Sequence, residues 1–246
     1  HTLPDLQIFF RKLQKVDIVP LAHDNPRLGT TQQLVPGEYN RETLLKKVLP
    51  FVLGQEHRYV TISRCMKLIS RKLVLDNMKY CQTDIRMGED LTLLLPCLLD
   101  CEHLVVMNHK AYYHYLYVTE SMAHQYDKGL YENNRKLRKI ISHILEDKCC
   151  NGNEIPMPDY AWMLEQADRE YLFLLLLVLK NEARGNPGGY KKNIKEICNA
   201  PEVKELVQKT VVEIHEKSNL LLYLVLLHPN AFMIRVLRMA MVWYYR

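Results

Sequence analysis

The sequence predicts an α/β domain over residues 1–125, followed by an all-helical domain over residues 126–246. Short apolar runs typical of strands alternate with helical patterns in the first half, whereas only helical patterns follow about Tyr126. A chain of 246 residues is long enough to bury a core in each unit. Its 48% hydrophobic and 25% charged residues are the ordinary balance of a globular protein, which excludes a disordered chain.

Turn signals and apolar spacing divide the first half into short elements. Apolar residues at helical spacing after Pro4-Asp5 predict a helix within residues 1–15, and "VDIVPL" predicts a strand at 16–21. Asn40 is a typical N-cap and predicts a helix over 40–53, interrupted near Pro50. The same patterns predict further strands at 58–62, 104–107 and 111–118, and helices at 70–77 and 89–99.

The second half is predicted to contain four helices, separated by glycine and proline signals. Asp159 is expected to cap a long apolar helix that ends before "GNPGG" (185–189), and His228-Pro229 separates the last two helices. The predicted helices cover residues 127–148, 159–181, 201–227 and 230–246, with Val211 among the inward residues of the third.

Charge, cysteines and apolar run lengths limit the partners and the compartment. A net charge of +5 suits nucleotides, phosphates or lipid headgroups and does not indicate nucleic acid. The seven cysteines show no C-x-x-C and no zinc spacing, so they are expected to be reduced thiols. No apolar run reaches the roughly 20 residues that span a bilayer. We therefore predict a cytoplasmic protein, with peripheral contact at the inner face of the membrane as an option.

The stretch "RMGEDLTLLLPCLLD" (86–100) places Glu89 and Asp90 between a glycine and an apolar run. Acids in the first turn of a helix interact favourably with its dipole, by about 0.3–1 kcal/mol, and need no further role. A helix start also favours the charged form of a carboxylate, which a general base requires. The two acids can therefore favour the start of a helix and also provide a catalytic base, so the two interpretations are compatible.

Short motifs in the first half follow one another in a characteristic order. This order resembles the second half of the catalytic domain of family-two glycosyltransferases, the bacterial inverting enzymes of GT-A type that build capsules, lipopolysaccharides and wall polymers. The resemblance covers about residues 2–125 and implies a partial GT-A-like fold there. It rests on Leu3-Pro4-Asp5, Asp17-Ile18-Val19, Lys67-Leu68, Arg71-Lys72-Leu73, Gly88-Glu89-Asp90-Leu91, Tyr113, Tyr115 and Ser121.

The resemblance implies that Asp90 is the general base, which takes the proton of the acceptor hydroxyl during an inverting transfer. Glu89 would support Asp90 or contact the acceptor. The implied substrates are a nucleotide-sugar donor and a glycan or lipid-linked acceptor, and the implied cofactor is Mg²⁺ or Mn²⁺. Positions expected to bind substrate are Lys67, Tyr113, His114 and Tyr115.

Histidines and tyrosines near residue 110 allow more than one interpretation. His109 or His114 is a candidate metal ligand or phosphate contact, although a histidine between tyrosines in a strand also suits simple packing. The tyrosines at 112–117 suit stacking on a sugar or nucleobase, or a half-buried sheet.

Two departures from the family pattern concern the donor side. The acidic Asp-x-Asp metal motif and the nucleotide-binding units that precede it in the family are missing, so the chain is expected to be a fragment with most metal ligands outside it. The arginine of the family's "LYxYR" strand aligns with Leu116, so Arg64, Lys67 or His114 would have to contact the diphosphate instead.

The closing helix has its own alternatives. One face would carry apolar residues and the other Arg235, Arg238 and Arg246, a pattern that suits a membrane interface, a helical bundle or a homodimer. The predicted apolar face contains Met233, Leu237, Ala240, Met241 and Tyr244.

Two functions compete with glycosyl transfer. In a non-catalytic interaction module, the helical half would bind the partner and the two acids would only favour the start of a helix. A hydrolase with a metal between these acids and nearby histidines has no spacing signature in its favour.

Overall fold

The computed structural model describes residues 18–20, 22–23, 34–65, 67–107, 111–113, 125–151 and 155–244. In these residues a mixed α/β part is followed by an all-helical part, as predicted at this coarse level. The strands are β1 (Ile18–Pro20), β2 (Ala22–His23), β3 (Gly37–Asn40), β4 (Lys67–Ile69), β5 (His103–Val106) and β6 (Ala111–Tyr113). The α-helices are α1 (Arg41–Lys47), α2 (Arg71–Asn77), α3 (Glu89–Asp100), α4 (Leu130–Cys150), α5 (Tyr160–Gly185), α6 (Tyr190–Asn199), α7 (Pro201–Lys209), α8 (Lys217–Leu227) and α9 (Ala231–Tyr244).

Four of the strands form a mixed sheet in the order β3-β5-β1-β4. Strand β1 runs parallel to β5, where Ile18 pairs with Leu104, and antiparallel to β4, where Ile18 pairs with Ile69. Strand β3 runs antiparallel to β5, and β2 pairs separately with β6. Since β4 is an outer strand of the four, Lys67 at its start lies at the border of the sheet.

Side-chain caps set the helix boundaries that the sequence predicts best. The Asn40 side chain accepts a hydrogen bond from Thr43 N at 3.0 Å, and the Asp159 side chain accepts one from Trp162 N at 2.8 Å. Helix α1 ends at Lys47 and a single 3-10 turn, Leu49–Phe51, takes its place around Pro50. Both predicted caps and the predicted interruption near Pro50 are therefore confirmed.

The strand predicted at 58–62 is wrong, because this segment has no regular structure. Its polar groups bind side chains instead of a neighbouring strand: the Thr61 hydroxyl accepts a hydrogen bond from Lys67. Strands β3 and β4 were not predicted, because neither has the apolar alternation of a half-buried strand. In β3 only Tyr39 is buried.

The single helix predicted over 201–227 is also wrong, because residues 210–216 separate α7 from α8. The Glu56 carboxylate, from the first half of the chain, accepts hydrogen bonds from His215 N at 2.6 Å and Glu216 N at 3.2 Å, just before α8 begins. Val211, predicted to point inward, is 78% exposed. Helix α6 was not predicted.

The apolar side chains form two cores that share helix α5. Residues from the sheet, α3, most of α4 and the start of α5 make the first core, which contains Leu94, Leu104 and Ile141. The later part of α5 packs with α6, α8 and α9 in the second core. None of the helices in the described ranges is long and apolar enough to cross a membrane.

Candidate active site

The turn before α3 strongly favours glycine. Gly88 adopts a φ of +85°, a left-handed conformation that costs other residues about 1–2 kcal/mol. A Cβ at this position would also lie 2.5 Å from Leu137 Cδ2, because α4 passes directly over the turn. The backbone of the turn therefore lies close to Leu137 of the core helix α4, directly before the first turn of α3, which carries Glu89 and Asp90.

Arg64 joins the two acids at the surface. Its Nε donates a hydrogen bond to Asp90 Oδ1, and its Nη2 lies 3.6 Å from Glu89 Oε1. The hydrogen bond to Asp90 raises the pKa of Arg64. Because the Asp90 side chain is 27% exposed and that of Arg64 45%, a ligand can reach both groups.

A second cation, Lys67, lies close to the same carboxylate. The Lys67 Nζ donates hydrogen bonds to Thr61 Oγ1 at 2.8 Å and to the Ser63 carbonyl oxygen at 2.9 Å. Burial lowers the pKa of Lys67 to about 8, and the nearby Asp90 charge opposes this effect. Lys67 therefore carries its proton at neutral pH. We call Arg64, Lys67, Glu89 and Asp90 the Asp90 site.

The structure thus brings three of the predicted site residues together and adds Arg64. The sequence indicated Arg64 only as a replacement for the family arginine, because 26 residues separate it from Asp90. Tyr113 ends strand β6, where its backbone pairs with that of His23. His109, His114, Tyr115 and Leu116 lie outside the described residues, so their predicted roles stay predictions.

The described residues offer no suitable site for the Mg²⁺ or Mn²⁺ that the resemblance implies. Within the described ranges, no three or more His, Cys, Asp or Glu side chains are grouped to hold a metal ion. The oxygens of Glu89 and Asp90 face the Arg64 guanidinium, which competes with a cation for them. The predicted ligands, His109 or His114, are not among the described residues.

Helix α9 places part of its predicted apolar face inside the protein. Leu237 and Met241 are buried in the second core, and Arg238 Nη1 donates a hydrogen bond to the carbonyl oxygen of Arg184 at 2.6 Å. A different set of large apolar side chains remains exposed. These are Phe232, Met239 and Trp243, which are 72%, 65% and 77% exposed.

Comparisons of the chain with protein-family models, curated proteins and solved structures find no match. The resemblance to family-two glycosyltransferases therefore depends on the short motifs of the first half alone.

Proposed function

We propose that this chain is the acceptor-side part of an inverting glycosyltransferase in which Asp90 is the general base. The observation that supports the proposal best is the hydrogen bond from Arg64 to the half-buried carboxylate of Asp90 in the first turn of helix α3. An inverting transfer needs a base for the acceptor hydroxyl and positive charge for the departing diphosphate. Arg64 and Lys67 provide that charge beside the base.

In the proposed reaction, the acceptor oxygen attacks the anomeric carbon while Asp90 accepts the hydroxyl proton. The bond from the anomeric carbon to the diphosphate oxygen breaks on the opposite face, and its electron pair leaves with the nucleoside diphosphate. Arg64 must turn from Asp90 towards the diphosphate for this step, and its side chain is 45% exposed. Rigid placement of Asp90 by Gly88 keeps the base in position as Arg64 moves.

The metal and the remaining substrate contacts are part of the same proposal. Mg²⁺ or Mn²⁺ would neutralise the donor diphosphate through ligands other than Glu89 and Asp90. Tyr113, His114 and Tyr115 are proposed contacts of the sugar or the nucleobase.

Replacing Asp90 with asparagine tests the catalytic role, with Asp84→Asn as the matched control. Asp84 lies six positions earlier, is exposed and pairs with Lys136 at 2.6 Å, away from the Asp90 site. The natural polypeptide containing this chain is incubated with UDP- and GDP-sugars, Mn²⁺ and glycan acceptors, and nucleoside diphosphate release is measured. We expect Asp90→Asn to lose at least about 100-fold in rate, the usual contribution of a general base, and Asp84→Asn to keep the wild-type rate.

Equal rates for the two variants would reject Asp90 as the base. Glu89 and Asp90 would then be first-turn acids of α3, and the non-catalytic interaction module would be the better interpretation. A fold check by circular dichroism accompanies both variants, because a lost base should leave the helix content unchanged.

We further propose that helix α9 contacts an anionic membrane surface at its cytoplasmic face. Residues 217–246 contain no Asp or Glu but carry Lys217, Arg235, Arg238 and Arg246. The exposed Trp243 and Phe232 suit the lipid interface. A two-fold dimer through this helix would bring arginines together with no acid of the segment to pair them, so charge complementarity favours lipid headgroups.

Sedimentation with lipid vesicles tests this contact. We expect binding to phosphatidylglycerol vesicles, weaker binding to phosphatidylcholine vesicles, and loss of binding in a Phe232→Ser, Trp243→Ser variant. Equal sedimentation with and without vesicles, together with a dimeric mass in solution, would reject the lipid contact and favour a homodimer.

A further inference from the structure

A cavity of about 440 Å³ lies between the segment after α1, the start of α5 and the segment that precedes α8. Phe51, Tyr59 and Trp162 form its aromatic wall, and Gln55, Arg169 and His215 are among its polar lining residues. None of the lining residues belongs to the Asp90 site. The cavity is therefore a separate place at which a ligand can bind.

The aromatic wall is rigid and partly open. The rings of Phe51 and Tyr59 stack with centroids 5.4 Å apart at 24°, and Trp162 meets Phe51 edge-on at 6.4 Å. Trp162 Nε1 donates a hydrogen bond to the Pro50 carbonyl oxygen at 2.9 Å, which fixes the indole. All three rings are half-buried and line the cavity, so part of their apolar surface can be reached from it. Ring faces fixed in this way suit flat apolar groups such as the C–H face of a pyranose.

The polar groups of the cavity favour a neutral ligand. Arg169 lies over the Trp162 ring at 5.7 Å, and Glu213 supplies an opposite charge on the lining. Glu56 is already used, because its carboxylate holds His215 N and the Asn219 side-chain amide at 2.6 Å each. Because the lining carries two carboxylates, those of Glu56 and Glu213, and one guanidinium, that of Arg169, it suits hydroxyl groups better than a phosphate or a carboxylate.

One segment connects this cavity with the Asp90 site. Tyr59 lines the cavity, Thr61 binds Lys67, and Arg64 binds Asp90. The five Cα–Cα steps from Tyr59 to Arg64 span at most about 18 Å, even when the backbone is fully extended. A saccharide a few units long can therefore reach from the cavity to the carboxylate.

We infer that the cavity binds a neutral saccharide, and, on the basis of the proposed transferase function, that this saccharide is the distal part of the glycan acceptor. Sugar units stack on Phe51, Tyr59 and Trp162 while their hydroxyl groups bind Gln55 and Arg169. The terminal acceptor unit then lies at Asp90.

Trp162 provides a direct reporter of binding. The chain has two tryptophans, and Trp243 is 77% exposed on α9, so Trp243→Phe leaves Trp162 as the only indole without disturbing the core. This variant is titrated with maltohexaose, cellohexaose and chitohexaose while Trp162 emission is followed. We expect saturable quenching by at least one of these probes.

Substitution of Tyr59 locates the binding. Tyr59→Ala and Tyr59→Leu should each weaken the affinity for the probe at least about tenfold, because both remove the aromatic ring on which the sugar stacks. Tyr59→Leu keeps the apolar bulk, so a loss in this variant is due to the missing ring. Tyr190→Ala is the matched control, since Tyr190 is a half-buried tyrosine on α6 that does not line the cavity. No response to any of the three probes, or equal affinities in the Tyr59 and Tyr190 variants, would overturn the inference.

The Asp90→Asn variant separates this inference from the proposed function. It should lose less affinity for the saccharide probes than Tyr59→Ala does, because Asp90 meets only the terminal sugar unit and does not line the cavity. Probe binding together with undiminished transfer by Asp90→Asn would reject Asp90 as the base and leave the cavity as a saccharide site. Loss of transfer in that variant without any probe binding would reject the cavity alone.

Discussion

Residues 54–65 contribute one arginine to each of two ion pairs, one of which is buried and the other of which reaches solvent. Arg58 Nη2 lies 2.5 Å from Glu170 Oε1, and the Glu170 side chain is only 1% exposed. Arg64 pairs with Asp90 where both side chains reach solvent. The same chemistry thus occurs twice on one segment, once between the two halves of the chain and once at the surface.

The difference in burial gives the pairs different roles. The buried Glu170 also accepts a hydrogen bond from Gly54 N at 3.0 Å, so it holds the segment to helix α5 at two points. Arg58 Nη1 finds no hydrogen-bond partner in the described ranges, so Glu170 is the main compensation for its charge. At the surface, water can replace either member of the Asp90 pair at small cost. A ligand can therefore exchange partners with Arg64 but not with Arg58.

The largest effect on stability is expected from Glu170→Ala. Removing one member of a buried pair leaves an uncompensated charge, which costs about 3–5 kcal/mol for a fully buried partner. Because Arg58 is 25% exposed, we expect a loss of about 3 kcal/mol in the free energy of unfolding, measured by urea denaturation. Glu165→Ala, on the exposed side of the same helix, is the control and should change it by less than about 0.5 kcal/mol. Equal losses would show that burial does not distinguish the pairs.

The next largest effect is expected from Gly88→Ala, which disturbs the support of Asp90. The left-handed φ of +85° and the contact with Leu137 each oppose a methyl group, so we expect a loss of about 2 kcal/mol, seen as a lower midpoint of thermal unfolding. Gly188→Ala is the control, because a Cβ there meets no atom within 4 Å. A wild-type midpoint for Gly88→Ala would mean that α4 does not fix the turn before α3.

An effect of similar size, but confined to alkaline pH, is expected at Lys67. Its folded-state pKa of about 8 lies below the ordinary value of 10.5, so the unfolded chain binds more protons between these values and stability rises with pH there. The wild-type protein should gain about 2 kcal/mol over Lys67→Met between pH 7.5 and 9.5. Urea denaturation at several pH values measures the difference. For the exposed Lys46→Met, the difference in the free energy of unfolding from the wild type should not change with pH. If this difference is also independent of pH for Lys67→Met, the amine of Lys67 is not buried.

The sequence predicts well those features that a few neighbouring residues decide. Asn40 and Asp159 cap their helices because each side chain needs only a backbone N–H three residues later. The helix start at Glu89 and the buried strand at Leu104 follow from apolar runs of the right length. Because local pattern determines these elements, sequence reasoning finds them.

The features that the sequence does not reveal depend on contacts between residues that are far apart in the chain. The segment just before α8 is held by Glu56, which lies 159 positions before the backbone N–H of His215 that it binds. The Arg64 contact with Asp90 and the cavity beside Trp162 likewise form only when separate segments meet. No local sequence pattern encodes contacts between distant segments. The sequence therefore reveals Glu89 and Asp90, but not their contact with Arg64 or the cavity.

Arg64→Gln should have the smallest effect on stability and the most informative effect on function. The pair with Asp90 is exposed, so its loss should change the free energy of unfolding by less than about 0.5 kcal/mol. If Arg64 turns to the donor diphosphate, the same change removes a charge-assisted contact and should raise the donor KM about tenfold or more. Arg64→Lys keeps the charge and should recover part of the lost donor affinity. Arg58→Gln, in contrast, should mainly lower the stability of the protein. A stable Arg64→Gln protein with the wild-type donor KM would mean that Arg64 only neutralises Asp90. The exposed Arg64–Asp90 pair would then have no role in donor binding, like the buried Arg58–Glu170 pair.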